Sequence, residues 1–250
     1  MSNHGLPCWY ELTSPDPTAS AAFYSGLLGW TWADSGMPGM DYRLATKNAG
    51  NVAGMMKAEP GQPLGWTLYF AVTDCDVTAA LATTLGAKVI VPPADIPGTG
   101  RFSIFLDPQG AAVGILQPLP MEDGSIGGAF DQQKDGHGNW HELLSPDPTA
   151  ALAFYAKLFG WALSRSVEMG PDMTYHIFNR DGLDIGGLFA AGTTAMWKPY
   201  FGTASAKASI ETLKSIGGTF VRGPDEVPGD AFTVQLTDPH GSALALVGPA

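Results

Sequence analysis

Two tryptophan–glutamate pairs have the residue types and spacing to bind an organic molecule and to move a proton on it. Trp9 and Glu11 lie in the stretch CWYEL, and Trp140 and Glu142 lie in NWHEL. Each stretch predicts a short buried strand, on which residues two apart share a face. A glutamate in an apolar cup has a raised pKa and suits general acid–base catalysis. A glutamate that only accepts hydrogen bonds from backbone amides or a tyrosine is the structural alternative.

Further aromatic side chains and one lysine recur at matching places in the two parts of the chain, and we predict that they line the same ligand-binding cups. Aromatic walls with a few polar groups suit a flat, partly apolar organic molecule. Core packing is the competing interpretation for the tryptophans. An inward Lys198, which stands where the first part has Thr67, would pair with Glu142. Besides Trp9 and Trp140, the predicted ligand-binding residues are Tyr42, Trp66, Tyr69, Tyr175, Trp197, Tyr200 and Lys198.

The elements that must position these side chains are encoded twice. At an offset of 131, residues 9–30 and 140–161 are identical at 15 of 22 positions. The motif D-P-x-G recurs at the same offset near the end of each part, so the duplication covers almost the whole chain. We therefore predict a first domain at 1–120, a linker at 121–137 and a second domain at 138–250.

Within each half, the pattern predicts one strand, one helix and three strands, followed by the same order again. For the first helix, Asp16 is a suitable cap, Pro17 suits the first turn and Gly29 ends the helix. The sequence thus predicts an α+β fold with four βαβββ modules, which form two curved mixed sheets.

The repeated patterns F-Y-x-x-L-x-G-W and D-P-x-G resemble the vicinal oxygen chelate superfamily, which includes glyoxalase I, bleomycin-resistance proteins and extradiol dioxygenases. The resemblance covers both halves. Within the superfamily the chain is similar to fused two-unit actinobacterial proteins that are described as glyoxalase-like or as hydroxylases. The resemblance implies a glyoxalase-like fold and, in the enzymes of the family, a divalent metal in the cup of each curved sheet.

The resemblance also implies eight places for metal ligands, and none of them holds a carboxylate, an imidazole or a thiolate. Divalent cations need three or more converging donors. We therefore predict neither a metal nor another cofactor. A site made from Glu142, Asp172 and His176 is the remaining alternative, although no spacing supports it. The eight places are Trp9, Gly54, Thr67, Gly114, Trp140, Gly187, Lys198 and Ala245.

Composition narrows the class of partner. The formal net charge of -11 argues against nucleic acid, which needs a basic patch, and against anionic membrane surfaces. No apolar run approaches the roughly 18 residues of a membrane span, and the first residues do not form a secretory signal. The two cysteines predict a reduced, cytoplasmic setting. The expected partner is a small molecule, bound by a monomer or a homodimer.

The favoured function is a metal-independent protein that binds a small aromatic or polyketide-like metabolite. It would sequester the compound or catalyse a proton-transfer, lyase or isomerase step through Glu11 or Glu142. The alternative is a metal-dependent glyoxalase, dioxygenase or hydroxylase-type enzyme with non-standard ligands. A third class is a regulatory or interaction protein built on the same fold.

Overall fold

The computed structural model of the chain describes residues 3–37, 39–119, 127–171 and 173–250. Asp172 of the alternative metal site lies outside these residues. The order of elements confirms the α+β class and the four βαβββ modules. None of the described helices is long and apolar enough to cross a membrane.

Among the described residues, each half contributes eight strands and two helices. The first half contains β1 (Pro7–Ser14), α1 (Pro17–Leu28), β2 (Thr31–Asp34), β3 (Tyr42–Lys47), β4 (Gly50–Lys57), β5 (Gly65–Ala71), α2 (Cys75–Thr84), β6 (Lys88–Ile96), β7 (Gly100–Leu106) and β8 (Ala112–Pro118). The second half contains β9 (Gly138–Ser145), α3 (Pro148–Phe159), β10 (Ala162–Glu168), β11 (Thr174–Arg180), β12 (Leu183–Ala190), β13 (Met196–Gly202), α4 (Ala206–Ser215), β14 (Thr219–Val227), β15 (Ala231–Thr237) and β16 (Ala243–Gly248).

The strands form two mixed sheets of eight strands, one from each half. Their orders are β2-β3-β4-β1-β5-β8-β7-β6 and β10-β11-β12-β9-β13-β16-β15-β14. In the first sheet β1 runs parallel to β4, and β5 runs parallel to β8. Glu11 lies opposite Gly54 in the first sheet, and Glu142 lies opposite Gly187 in the second. The register around the two glutamates is therefore repeated.

Local sequence accounts for the start and end of α1. The Asp16 carboxylate accepts the backbone N–H groups of Thr18 and Ala19, and Pro17 occupies the first turn. Gly29 ends the helix in the left-handed conformation, with φ of 66°. A residue with a Cβ would be strained there, which explains the glycine. The predicted cap, first turn and stop of this helix are confirmed.

The chain packs as two compact units, and each unit combines modules from both halves. Unit 1 comprises Met1–Cys8, Leu68–Ile126 and Trp140–Trp197. Unit 2 comprises Trp9–Thr67, Gly127–Asn139 and Lys198–Ala250. The predicted domain boundaries at 120 and 138 stay a prediction.

Each unit is built around an aromatic core with the same layout. In unit 2 Tyr24 stacks on Trp30 with ring centroids 5.6 Å apart, and Phe201 meets Trp30 edge-on. In unit 1 Tyr155 stacks on Trp161 at 5.1 Å, and Phe70 meets that indole edge-on. Burying each large ring contributes about 1.5–3 kcal/mol, so these rings stabilise both units.

The segment before each first strand belongs to the repeated structure. The Gly5 carbonyl accepts a hydrogen bond from Trp161 Nε1 at 2.7 Å, and the Gly136 carbonyl accepts one from Trp30 Nε1 at 2.7 Å. The predicted boundaries place Gly5 in the first domain and Gly136 in the linker. In the structure, His137 beside Gly136 is only 4% exposed. Gly136 and His137 are therefore buried, and both belong to unit 2.

Candidate functional site

In the first half, a hydrogen-bonded chain connects the predicted tryptophan to the predicted glutamate. Trp9 Nε1 donates to the Tyr42 hydroxyl at 3.1 Å, and that hydroxyl donates to Glu11 Oε2 at 3.0 Å. All three side chains are half-buried. Because β1 alternates, Cys8 and Tyr10 face the other side and are buried. We call these three residues the first Trp–Tyr–Glu cluster.

The second half repeats this arrangement with a more buried carboxylate. Trp140 Nε1 donates to the Tyr175 hydroxyl at 2.9 Å, and Tyr175 is hydrogen-bonded to Glu142. Trp140 and Tyr175 are half-buried, whereas Glu142 is only 5% exposed. His141 points to the opposite face of β9, where its Nδ1 lies 2.6 Å from the Ile185 carbonyl. Trp140, Tyr175 and Glu142 form the second Trp–Tyr–Glu cluster.

The two tyrosines of these clusters stay protonated near neutral pH. Burial raises the pKa of Tyr42 well above its usual range, and the charge of Glu11 raises it further. The pKa of Tyr175 is raised by burial and then by the charge of Glu142. Each phenol is therefore a hydrogen-bond donor to its glutamate.

The glycines that face the glutamates make room for the same tyrosines. A Cβ atom added to Gly54 would overlap the Tyr42 hydroxyl, and one added to Gly187 would overlap the Tyr175 ring. In the same way, a Cβ on Gly114 would overlap the Tyr69 ring. Three places that the family resemblance assigns to metal ligands are thus covered by tyrosine rings.

The donors present do not fit a divalent metal. Each Trp–Tyr–Glu cluster supplies one carboxylate, whereas a zinc or iron site needs three or four nitrogen, oxygen or sulfur ligands. In the part of the chain that the structure describes, His, Cys, Asp and Glu side chains nowhere gather as a group of three suited to a metal ion. No chemical step is therefore assigned to a metal here.

Trp66 and Trp197 lie apart from the two clusters, in the aromatic cores. Trp66 Nε1 donates to the Tyr24 hydroxyl at 3.1 Å, and Tyr24 donates to Asp238 Oδ2 at 3.0 Å. Trp66 is 8% exposed and packs against α1. Trp66 and Tyr69 are three residues apart, so strand alternation places their side chains on opposite faces of β5.

Unit 1 repeats this buried chain. Trp197 Nε1 donates to the Tyr155 hydroxyl at 3.0 Å, which donates to Asp107 Oδ2 at 2.9 Å. The indole of Trp197 is 3% exposed and borders a gap in the apolar core that is too small for a water molecule. We call the two sets Trp66–Tyr24–Asp238 and Trp197–Tyr155–Asp107 the Trp–Tyr–Asp chains.

The sequence analysis missed the two aspartates of these chains. Asp238 Oδ1 also accepts the backbone N–H groups of His240 and Ser242, and Asp107 does the same in its own D-P-x-G turn. The aspartate and the helix tyrosine both recur at the 131-residue offset. This joint recurrence could have indicated that the two residues interact.

Three further predicted ligand-binding residues are buried. Tyr69 is 4% exposed and covers Gly114, and Tyr200 is 5% exposed opposite Ala245. Lys198 shares a face with Tyr200, and its Nζ donates to Gln235 Oε1 at 2.9 Å. That ammonium lies 5.7 Å from the Tyr200 ring centroid. The pairing of Lys198 with Glu142 and the ligand-binding role of these residues stay predictions.

Solved structures share the fold over nearly the whole chain. The 2,3-dioxygenase LapB from Pseudomonas sp. KL28 matches with a TM-score of 0.68 and 13% identity, covering 100% of this chain and 94% of its own. The Mn(II)-bound glyoxalase from Novosphingobium aromaticivorans matches with a TM-score of 0.69 and 15% identity, covering 99% and 83%. At these identities the likeness concerns the fold alone.

Some relatives have a higher sequence identity to this chain than these solved structures. A Mycobacterium bovis protein named "Putative glyoxylase CFP32" is 32% identical over 98% of this chain and 95% of its own length. The anthracycline biosynthesis protein DauV of Streptomyces sp. strain C5 is 30% identical over 97% and 93%. Residues 10–116 match the glyoxalase-like domain, and residues 137–246 match the glyoxalase/bleomycin resistance protein/dioxygenase superfamily. The chain is a two-domain member of this superfamily.

Proposed function

We propose that the chain binds a small aromatic, polyketide-like compound at its Trp–Tyr–Glu clusters without a metal ion. The observation that carries the proposal is the hydrogen-bonded chain from tryptophan through tyrosine to glutamate, which occurs in both halves. The half-exposed indole and phenol rings offer stacking surface, and the glutamate adds one polar group beside them. This mixture is typical of sites for flat organic molecules.

The hydrogen bonds within each cluster also hold its rings in place before a ligand arrives. The Trp9 N–H and the Tyr42 O–H are both used inside the first cluster. Rings that are already ordered lose little conformational entropy on binding, which favours affinity. The same holds for Trp140 and Tyr175 in the second cluster.

If the bound compound reacts, the glutamate is the group that moves the proton. The protonated tyrosine holds the carboxylate, and the carboxylate removes a proton from one atom of the ligand and returns it to another. That sequence is an isomerisation, or an elimination when a leaving group departs after the proton is removed. Sequestration needs only the binding step.

The polyketide-like class is supported by the Streptomyces relative, whose name places it in anthracycline biosynthesis. Anthracyclines are flat, fused-ring aromatic compounds, which match the stacking surface of the clusters. The similarity extends over 97% of this chain and therefore over both of its halves.

The second candidate is a metal-dependent glyoxalase, dioxygenase or hydroxylase-type enzyme. The mycobacterial relative is named as a glyoxylase, and a glyoxalase of the same fold has been solved with Mn(II). Against this candidate stand the single carboxylate of each cluster and the tyrosine-covered glycines at Gly54 and Gly187. A regulatory protein would bind a ligand without turning it over.

Metal analysis combined with ligand titration separates these candidates. The purified chain is analysed for Zn, Fe, Ni and Mn, and the anthraquinone quinizarin is titrated into it before and after dialysis against EDTA. We expect well under one metal ion per chain and an unchanged affinity. A stoichiometric metal whose removal abolishes binding or an associated activity would favour the metal-dependent enzyme.

A further inference from the structure

The four edge strands of the two sheets differ in how they are protected from other strands. An edge strand presents unpaired N–H and C=O groups, which proteins shield by short length, proline or bulges. The edge strand β2 has only four residues. In β6, Pro92 and Pro93 remove two N–H donors, and Pro224 removes one in β14. Both of these strands also carry two register shifts.

The fourth edge strand, β10, has little of this protection. It contains seven residues without a proline, and its ladder with β11 is regular from Arg165 to Glu168 after one register shift. All seven side chains are exposed, so no described residue covers the strand. Leu163 and Val167 are 48% and 38% exposed, and Met169 just beyond the strand is 53% exposed. Strand β10 therefore combines free backbone groups with exposed apolar side chains.

We propose that β10 docks against β10 of a second copy of this chain, in an antiparallel pair centred on Val167. In such a pair the two strands are related by a two-fold axis perpendicular to the sheet. The residue on this axis lies opposite the same residue of the second copy. A pair centred on Arg165 or Glu168 would place like charges opposite each other, which is destabilising. Centring on Val167 instead makes an apolar pair and places Ser166 opposite Glu168 of the second copy.

The charges of the edge favour a second copy over a charged peptide. Strand β10 carries one cation, Arg165, which forms an ion pair with Asp184 of β12, and one anion, Glu168, although the chain as a whole has a net charge of -11. Two such edges meet without net repulsion. A cationic or an anionic peptide would find no matching excess charge on this strand.

A cysteine at the symmetry axis tests the proposed geometry. In an antiparallel pair, opposite Cβ atoms are about 4.5–5.5 Å apart, close to the separation in a disulfide. The native Cys8 and Cys75 are 4% and 0% exposed, so the thiol of Val167→Cys is the accessible one. Under mild oxidation we expect Val167→Cys to form a covalent dimer. Ile90→Cys, at a 50% exposed position on the edge strand β6, is the matched control and should stay monomeric.

Sedimentation equilibrium of the native chain provides the second measurement. We expect a monomer–dimer equilibrium whose dissociation constant rises roughly tenfold or more in Val167→Lys, because two ammonium groups then face each other. Ile90→Lys should leave the constant unchanged. A native chain that stays monomeric at high micromolar concentration would overturn the proposal. Equal cross-linking of Val167→Cys and Ile90→Cys would also overturn it.

Discussion

The protein contains two versions of one hydrogen-bonded motif. In the Trp–Tyr–Glu clusters and in the Trp–Tyr–Asp chains, an indole N–H donates to a phenol that is hydrogen-bonded to a carboxylate. Each version occurs once in each of the two compact units. The versions differ in their exposure to solvent. Tyr24 and Asp238 are 0% and 2% exposed, whereas Trp9, Tyr42 and Glu11 are half-buried.

This difference indicates separate roles for similar chemistry. The aspartates also accept backbone N–H groups of their own turns, so their oxygens are committed to holding the fold. The partly exposed clusters present ring surface that a ligand can reach. The motif is therefore structural where it is sealed and suited to binding where it is open.

The largest difference between the versions should be seen in catalysis, if the bound compound is turned over. We predict that Glu11→Gln or Glu142→Gln reduces turnover by roughly 10²–10⁴-fold, because the amide keeps the shape but cannot exchange the proton. Both variants should fold normally, as judged by circular dichroism. Turnover that is unaffected by the two substitutions, singly and together, would leave only binding for the clusters.

The buried Trp–Tyr–Asp chains should contribute more to stability than the partly exposed clusters. We predict that Asp238→Ala lowers the free energy of unfolding by roughly 3–5 kcal/mol, because a buried tyrosine and two turn amides lose a charged acceptor. Asp16→Ala is the matched control, since its exposed carboxylate also accepts two backbone N–H groups. That substitution should cost about 1 kcal/mol. Urea unfolding measures both, and equal losses would contradict the structural role of the buried chain.

The stability of the second half should also respond to acid differently from that of the first half. Burial lowers the pKa of His141 to about 4, whereas Tyr10 takes its place in the first half. Between about pH 6.5 and pH 4 the unfolded chain binds a proton that the folded chain excludes, so stability falls as the pH falls. The loss should reach roughly 3 kcal/mol at most. Urea unfolding across this range should show a smaller decrease for His141→Gln, and an unchanged decrease would assign the effect to other groups.

Two phenylalanine substitutions should separate stability from binding. Tyr24→Phe should cost about 2 kcal/mol, because it leaves a buried carboxylate and a buried indole without their partner. Tyr42→Phe should cost about 1 kcal/mol, since solvent reaches its partners. The affinity for quinizarin should fall only in Tyr42→Phe, which frees the Trp9 and Glu11 side chains. A loss of affinity in Tyr24→Phe would show that the sealed chain also shapes the site.

The sequence predicted features that rest on local pattern. The repeat, the module order, the cap at Asp16 and the shared face of Trp9 and Glu11 all follow from spacing along a single element. The partner of Tyr24 does not, because Asp238 is 214 residues away and only the tertiary fold brings them together. Strand alternation places Trp66 and Tyr69 on opposite faces of β5. The prediction grouped them in one cup because both side chains are aromatic. The match between Gly5 and Gly136 escaped notice because few residues around these glycines are identical.

The affinity of a double variant tests the central claim most directly. Quinizarin is titrated by calorimetry into EDTA-treated native chain, Trp9→Ala/Trp140→Ala and Trp32→Ala, a half-buried tryptophan outside both clusters. Since stacking on each indole is expected to supply about 1.4 kcal/mol or more, we predict at least a tenfold weaker affinity for the double variant. Trp32→Ala should bind like the native chain. Native affinity in the double variant would contradict the assignment of the Trp–Tyr–Glu clusters as the binding site.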